Sequence, residues 1–198
     1  MAASDDIDLA PIVVAAAGAF ILYQFWRYST ASYGFSFGTS APAGTGLQSL
    51  LNDLPMTVSP QGRAFIQSWE TLSLTPYADA GGRAVGWGHR ITPQDNITGP
   101  ITYARAVELF NSDIAAVQDA INSSVTVALT QNQFDALADF AYNVGVSGFA
   151  NSTLVKLLNQ GNYASVAQQL ARWNKAQGQV NSDLTKRRSA EAQNFASG

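Results

Sequence analysis

The sequence has no cysteine, a single histidine among its 198 residues, and few charged residues, at 13% of the total. Without cysteine the chain can form neither disulfides nor cysteine-ligated zinc or iron–sulfur sites, and one imidazole excludes a metal site built from several histidines. The sequence therefore predicts no cofactor and no metal. Its hydrophobic content of 46% is typical of a folded domain with a proper core.

The few charges are divided unevenly between two parts of the chain. Residues 60–142 carry four Arg against eight Asp or Glu, whereas residues 143–198 carry six Lys or Arg against two acids. Ordinary surface charge explains this division, and so does a basic lobe that holds an anionic polymer near acidic chemistry. Neither part has the clustered basic residues of a nucleic-acid-binding surface, so no nucleic-acid partner is predicted.

The longest apolar run lies near the N terminus. It extends from Leu9 to Trp26, 18 residues without charge and with Gln24 as the one strongly polar side chain, and this length predicts a transmembrane helix over about 9–26. A cleaved signal peptide is an alternative, but it has a cationic start, whereas here acidic residues precede the run and Arg27 follows it. Burial as a core helix is the other alternative, and the absence of a polar face argues against it.

Composition divides the chain into three parts. We expect an N-terminal segment at 1–28, a flexible linker rich in Ser, Gly and Thr at 29–59, and a folded domain at 60–198.

Within the predicted domain the hydrophobic pattern is mostly helical. Thr130 and Gln133 have the spacing of a capping box at the start of a helix. Leu72 to His89 alternates loosely and is rich in glycine, which predicts a short hairpin or small sheet between helices. The predicted fold class is α+β, mostly helical with a small β-hairpin lobe. Apolar residues recur at helical spacing in three further stretches: Gly62–Glu70, Ala104–Ile121 and Thr153–Trp173.

Two carboxylates nine residues apart, Glu70 and Asp79, precede a glycine-rich run that ends on His89. A working pair needs one carboxyl that is apolar enough in its surroundings to stay protonated and one that stays ionised. Glu70 follows Trp69 on the apolar stripe of a predicted helix, and Asp79 lies among Ala, Gly and Arg in an open turn. Such a pair can cleave a glycosidic bond, because the acid protonates the leaving oxygen while the other carboxylate directs water or stabilises the cationic transition state. The spacing alone is common and does not establish this chemistry.

A succession of motifs makes the hypothesis specific. It runs E…L…PY.D…G…GWGH at 70–89, LFNSD at 109–113, AYNVG..GF..STL at 141–154, LNQG at 158–161, RW at 172–173 and L..RR..E at 184–191.

This order of motifs, over roughly residues 60–198, resembles the phage lysozymes, the endolysins of glycoside hydrolase family 24. The resemblance implies a lysozyme-like fold with a cleft between a small sheet-containing lobe and a helical lobe. It also implies a muramidase that cleaves the β-1,4 bond between N-acetylmuramic acid and N-acetylglucosamine in peptidoglycan. By position, it implies that Glu70 is the general acid and Asp79 the second catalytic carboxylate.

One departure from the family concerns a threonine that lies six residues after the aspartate and five before the histidine. Here the segment from Asp79 to His89 is one residue shorter, and Ala84 stands five before the histidine. The hydroxyl that helps to position water is therefore missing, and Thr75 and Thr92 carry the nearest hydroxyls. Two alternatives follow: a lytic transglycosylase that uses Glu70 alone, and a membrane-anchored virion protein that keeps the fold for wall binding.

The resemblance also suggests roles for residues around the carboxylates. His89 is implied to be structural, with Asp113 as a salt-bridge partner that ties the hairpin to the following helix. Tyr142 and Asn143 are expected either to pack or to contact sugars in the cleft. The neighbouring arginines of the last motif, at 187 and 188, are expected either to pair with wall carboxylates or to face solvent.

The location of the protein is open at this point. Some phage endolysins carry a weakly hydrophobic, Gly/Ala-rich N-terminal anchor that is exported uncleaved, and VVAAAGA at 13–19 is similar. The flanking charges favour the opposite orientation, which would leave the domain in the cytoplasm, away from the wall. The two indications agree if the phage has a lipid-containing virion, because the protein can then be carried in the virion membrane. We therefore expect a single-pass membrane-anchored protein, in the host inner membrane facing the periplasm or in a virion membrane, with virion or membrane proteins as further candidate partners.

Overall fold

The computed structural model describes residues 54–79 and 82–198. The predicted transmembrane helix at 9–26 and the predicted linker up to residue 53 lie outside the described residues, so both stay predictions. Within the described ranges, no helix combines the length and the apolar character that a membrane span requires.

The described part of the chain is mostly helical, as the apolar spacing predicts. Two 3-10 turns, Pro93–Asp95 and Tyr163–Ser165, lie between longer elements. The helices are α1 (Pro60–Trp69), α2 (Tyr103–Ser124), α3 (Gln131–Val144), α4 (Val146–Ala150), α5 (Thr153–Leu158), α6 (Val166–Ala171) and α7 (Ser182–Ala196).

Local side-chain and backbone bonds determine where these helices begin and end. The capping box predicted at the start of α3 is present, since Thr130 and Gln133 each accept from the other's backbone N–H. The stretch from Thr153 to Trp173, expected as a single apolar stripe, is two helices. It breaks because Gly161 takes a left-handed conformation at φ 78°, and the N–H groups of Gly161 and Asn162 close the end of α5.

The strands form two small antiparallel sheets. In the first, β1 (Ser73–Asp79), β2 (Gly82–Gly86) and β3 (His89–Arg90) pair in chain order, with Tyr77 opposite Ala84. The second pairs β4 (Lys175–Ala176) with β5 (Gln179–Val180). The hairpin predicted for Leu72 to His89 is thus confirmed, and so is the α+β class.

The core surrounds α3, which packs against α1, α2, α4 and α7. Every residue from Phe134 to Ala141 is buried, because helices cover α3 on several sides. Burial of side chains such as Phe134 and Phe140 contributes about 1.5–3 kcal/mol each. Two members of this run, Asp135 and Asp139, are acidic and nonetheless buried. Burial of an acidic side chain costs free energy unless hydrogen bonds or a cation compensate it.

Residues shortly before 60, where the folded domain was expected to begin, already contact its helices. Met56 exchanges two hydrogen bonds with the side chain of Asn122 on α2, at 3.0 and 2.9 Å, and the N–H of Val58 donates to Gln118 at 2.9 Å. Val58 itself is buried. Residues that composition assigns to the linker therefore contact α2.

Candidate active site

Glu70 is positioned by the end of α1. It is the C-cap residue of this helix, with an extended backbone, so the chain leaves the helix here and enters the hairpin. Its side chain is largely buried, and one carboxylate oxygen, Oε1, accepts a hydrogen bond of 2.7 Å from Nη1 of Arg187. The other oxygen, Oε2, faces the hairpin, since a Cβ built on Gly88 would lie 3.7 Å from it. The two oxygens of Glu70 therefore face different surroundings.

Asp79 is the last residue of β1. Its charge and that of Glu70 both act on Tyr77, two residues before it. Asp79 is exposed, and the two-residue period of a strand puts its side chain on the same face as Tyr77. Burial and then the negative charges of Asp79 and Glu70 raise the pKa of Tyr77 above its ordinary value. One phenol thus lies within electrostatic range of both carboxylates. Glu70 and Asp79 therefore both act on Tyr77, which lies on the hairpin between them in sequence.

A cavity of about 370 Å³ lies beside Glu70. This volume is within the range of small-molecule sites, about 300–1,000 Å³. Its walls come from the end of α1, from α3, from β4 and from the start of α7. The lining residues are Trp69, Glu70, Asn143, Ala176, Asn181, Asp183, Leu184 and Arg187.

Arg187 and Arg188 are buried inside the domain, at 4% and 2% exposure, so the expectation that they face solvent or bind wall carboxylates was wrong. Arg187 donates from Nε and Nη2 to the two oxygens of Asp139, at 3.0 and 2.7 Å. Arg188 donates from Nη2 to Asn143 at 2.9 Å and lies 2.6 Å from Glu191 Oε1. The error arose because the acids that pair with these arginines lie on another helix or one turn further along α7.

Burial and pairing have opposite effects on these charged groups. Burial lowers the pKa of Arg188 and raises the pKa of Glu191. For Arg187, burial acts to lower the pKa, but its bonds to Asp139 and the charges of Asp139 and Glu70 outweigh that effect and raise it. Arg187 therefore stays a cation at neutral pH.

His89 and Asp113, expected to pair, are in contact. Nδ1 of His89 lies 2.9 and 3.0 Å from the two oxygens of Asp113, which joins β3 to α2. Nε2 of His89 lies 3.4 Å from Asp95, a partner that the sequence analysis missed. The hydrogen bond with Asp113 raises the pKa of His89 above its ordinary value, against the opposing effect of burial, and Asp95 adds to the rise.

Substituting His89 with Gln should have a pH-dependent cost. Because the folded-state pKa of His89 is raised, its stabilisation is fully present below the unfolded value, near 6.5, and is lost as pH rises through the folded value. We expect His89→Gln to lower the free energy of unfolding by about 1 kcal/mol at about pH 5.5, since water partly screens the pair with Asp113, and by less at about pH 9. Urea denaturation of both proteins at the two pH values measures this. An equal cost at both would contradict the assignment.

Tyr142 and Asn143 differ in what they contact. The hydroxyl of Tyr142 donates to the backbone oxygen of Trp87 at 2.7 Å, and its ring packs on Phe110. Burial, followed by the charges of Asp113 and Glu70, raises the pKa of Tyr142. Asn143 is exposed, accepts from Arg188 and lines the cavity beside Glu70. The geometry favours packing for Tyr142 and leaves the Asn143 side chain at the cavity.

Ala84, the residue at the family's threonine position, is 1% exposed on β2. Thr92 cannot readily replace that hydroxyl, since its Oγ1 already donates to Asp95 at 2.7 Å. Thr75 is exposed on β1. Tyr77 lies directly opposite Ala84, and opposed residues of an antiparallel pair share one face of the sheet. The sequence analysis named Thr75 and Thr92 as the nearest hydroxyls and did not consider Tyr77.

The sequence pattern of the phage lysozyme family matches residues 67–191, which is more than half of the chain. The chain therefore belongs to the phage lysozyme family.

Individual proteins support the same assignment. The endolysin of Bacillus phage PZA is 38% identical over 149 residues, a match that spans 72% of this chain and 56% of that protein. This chain thus spans little more than half of that relative. The SAR-endolysin of Escherichia phage Mu is 41% identical over 123 residues, which span 62% of this chain and 71% of that protein. Among solved structures, the muramidase domain of SpmX from Asticaccaulis excentricus is 32% identical, with a TM-score of 0.62 over 70% of this chain and 97% of that one.

Proposed function

We propose that this protein is a muramidase that cleaves the β-1,4 bond between N-acetylmuramic acid and N-acetylglucosamine in bacterial peptidoglycan, and that a phage uses it to enter or to lyse the host cell. The observation that carries the proposal is the position of Glu70, at the wall of a cavity of about 370 Å³ within the region that matches the family. A carboxyl at this point can reach a glycosidic oxygen of a bound sugar chain.

In the proposed mechanism, Glu70 acts as the general acid. It donates a proton to the leaving oxygen while Asp79 stabilises the cationic transition state or directs water. Asn143 contacts the sugar at the cavity, and Tyr142 supports the wall of the cleft through its bond to Trp87. His89 and Asp113 hold the hairpin, and with it Asp79, against α2. These roles rest on geometry and on the positions of the family motifs.

The direct test is peptidoglycan cleavage by the purified full-length protein. Turbidity clearing of chloroform-treated Gram-negative cells reports the loss of wall integrity, and mass spectrometry of the released fragments identifies the bond that breaks. We expect fragments that end on N-acetylmuramic acid. Sedimentation with the wall but no fragments at any pH would instead favour a virion protein that keeps the fold for wall binding.

The chemical form of the product depends on Ala84. If the missing hydroxyl limits the delivery of water, the wild-type protein releases anhydro-ended sugars beside hydrolysed ones, and Ala84→Thr increases the hydrolysed share. Because the site is buried, the added atoms should cost about 1–3 kcal/mol of stability. Mass spectrometry separates the products, since hydrolysis adds a water that transglycosylation does not.

Ala84→Val is the matched control, because valine has the shape of threonine without the hydroxyl. It should share the loss of stability but leave the product ratio unchanged. Only hydrolysed products from the wild type, with no gain in Ala84→Thr, would show that another group positions the water.

We further propose that Leu9 to Trp26 anchors the protein in a membrane, either the host inner membrane with the domain in the periplasm or the membrane of a lipid-containing virion. The uncharged run of 18 residues supports an anchor, and relatives named SAR-endolysins support export. Fractionation of cells that express the full chain tests it: the protein should sediment with membranes and resist extraction at alkaline pH. Recovery in the soluble fraction would count against the anchor.

A further inference from the structure

Asp139 is a carboxylate in the middle of α3, within the run from Phe134 to Ala141 that is buried throughout. Its side chain is 0% exposed, between Ala138 and Phe140, which are equally buried. Taking a carboxylate out of water is costly unless a cation and hydrogen bonds compensate it. Here Arg187 does so with two bonds, at 3.0 and 2.7 Å. The domain therefore keeps an internal ion pair where an apolar residue would pack at lower cost.

This pair determines the direction of the remaining donor of Arg187. A guanidinium is planar, and a bidentate contact through Nε and Nη2 leaves no freedom to rotate Nη1. Nη1 is the atom that donates to Glu70 Oε1 at 2.7 Å. Asp139 thus acts on Glu70 through a rigid intermediate, although the two carboxylates belong to different helices.

The contact also selects which oxygen of Glu70 carries the proton. Oε1 accepts from Arg187, so the proton of the neutral acid resides on Oε2, the oxygen that faces Gly88 on the hairpin. The contact also places the positive charge of Arg187 at 2.7 Å from the carboxyl that must give up the proton. Asp139 supplies the negative charge that pairs with Arg187 on its other side.

We propose that Asp139 is a positioning residue for peptidoglycan cleavage: it orients Arg187 so that Glu70 presents its proton from Oε2, and it balances the positive charge that Arg187 places beside Glu70. The inference rests on the proposed function. Asp139 does not touch the substrate, and its effect passes through Arg187.

Other ionisable side chains lie near Asp139, Arg187 and Glu70. Tyr77 and Tyr142 are within electrostatic range of Glu70, and Asp79 is within range of Tyr77. On the other side, Glu191 Oε1 lies 3.8 Å from Arg187 Nε. Because burial raises the pKa of Glu191, this carboxyl is the weaker counter-ion, and Asp139 supplies the balancing charge in direct contact with Arg187.

Asp139→Asn removes the charge and keeps the size of the side chain. A general acid must be protonated, so the rate falls as pH rises past the point where the acid ionises, which is the alkaline limb of the pH–rate profile. In this variant Arg187 lacks its counter-ion while it still lies 2.7 Å from the carboxyl that must donate the proton. We expect the alkaline limb to move to lower pH by about one unit, with kcat at neutral pH at least ~10-fold lower and apparent KM for soluble peptidoglycan fragments unchanged.

Asp135→Asn is the matched control. Asp135 lies one turn earlier on α3 and is also buried, but it accepts from Gln131 on α3 itself and from Ser59 at the start of α1, the opposite end of that helix from Glu70. This variant should lose stability yet keep the wild-type pH profile. A wild-type profile in Asp139→Asn, or an equal displacement in both variants, would overturn the proposal and leave Asp139 a structural residue.

If Asp139→Asn does not fold at the assay temperature, Asp139→Glu decides the question. It retains the charge but displaces the guanidinium, so the alkaline limb should stay while kcat falls at least ~10-fold. Unchanged kcat would overturn the proposal. Failure of the proposed function looks different, because the wild-type protein itself would then release no fragments at any pH.

Discussion

Replacing Glu70 with Gln should reduce peptidoglycan cleavage at least ~10²-fold, the lower scale for the loss of a general acid. The amide has the shape of the carboxyl, and its oxygen can still accept from Arg187 Nη1, so the fold and the cavity should persist. What disappears is the proton on the oxygen that faces Gly88. Turbidity clearing and fragment release, measured with the full-length protein, report the effect, and a thermal melt verifies that the variant is folded.

Glu108→Gln is the control for this substitution. Glu108 is 65% exposed on α2 and pairs with Arg105, three residues earlier, so the same chemical change should leave cleavage and stability nearly unaffected. Near-normal clearing by Glu70→Gln would show that Glu70 is not the acid. Equal losses in both variants would indicate a general effect of the substitution rather than one on proton donation.

Replacing Arg187 with Met should lower the free energy of unfolding by about 3–5 kcal/mol, because it leaves the buried Asp139 without its cation. It should also impair cleavage, since Glu70 loses the group that orients it. The double variant Arg187→Met with Asp139→Leu removes both charges and should recover most of the stability without recovering cleavage. Urea denaturation of the single and double variants gives the coupling free energy directly.

The neighbouring residue provides the control. Lys186 is 71% exposed and pairs with Asp183, so Lys186→Met should change stability by no more than about 0.5 kcal/mol. A similar small cost for Arg187→Met would mean that Asp139 does not depend on this cation. A double variant as unstable as the single one would mean that the loss comes from packing and not from the unpaired charge.

Local pattern was sufficient for the elements that place Glu70 and His89. The apolar stripe that ends at Trp69, the capping box of Thr130 and the glycine-rich hairpin each depend on residues a few positions apart, and all three form as expected. The contact between His89 and Asp113 spans only 24 residues and followed from the order of the motifs. Patterns between residues close in sequence were thus sufficient to predict the fold class and the elements on which Glu70 and His89 lie.

The charge network of α7 could not be predicted in the same way. Arg187 meets Glu70 across 117 residues and Asp139 across 48, distances over which spacing in sequence carries no information. Adjacent arginines look like a solvated helix face, because most charged residues are exposed. The signal that was present is Asp139 itself, an acid inside an otherwise apolar stretch of α3. A buried carboxylate is stable only with a compensating cation, and Arg187, in the basic motif at 184–191, is that cation.

The attachment of residues 54–59 also determines where mechanical load would enter the domain. Met56 is clamped to Asn122, near the C-terminal end of the 22-residue α2, and Ser59 is bonded to Asp135 at the start of α1. At 1.5 Å per residue, Asn122 lies roughly 29 Å along α2 from Tyr103, the residue that packs on Trp87 of the hairpin. Tension applied through residue 54 would therefore act first on the bonds of Met56 and on the first turn of α1, at the opposite end of that helix from Glu70.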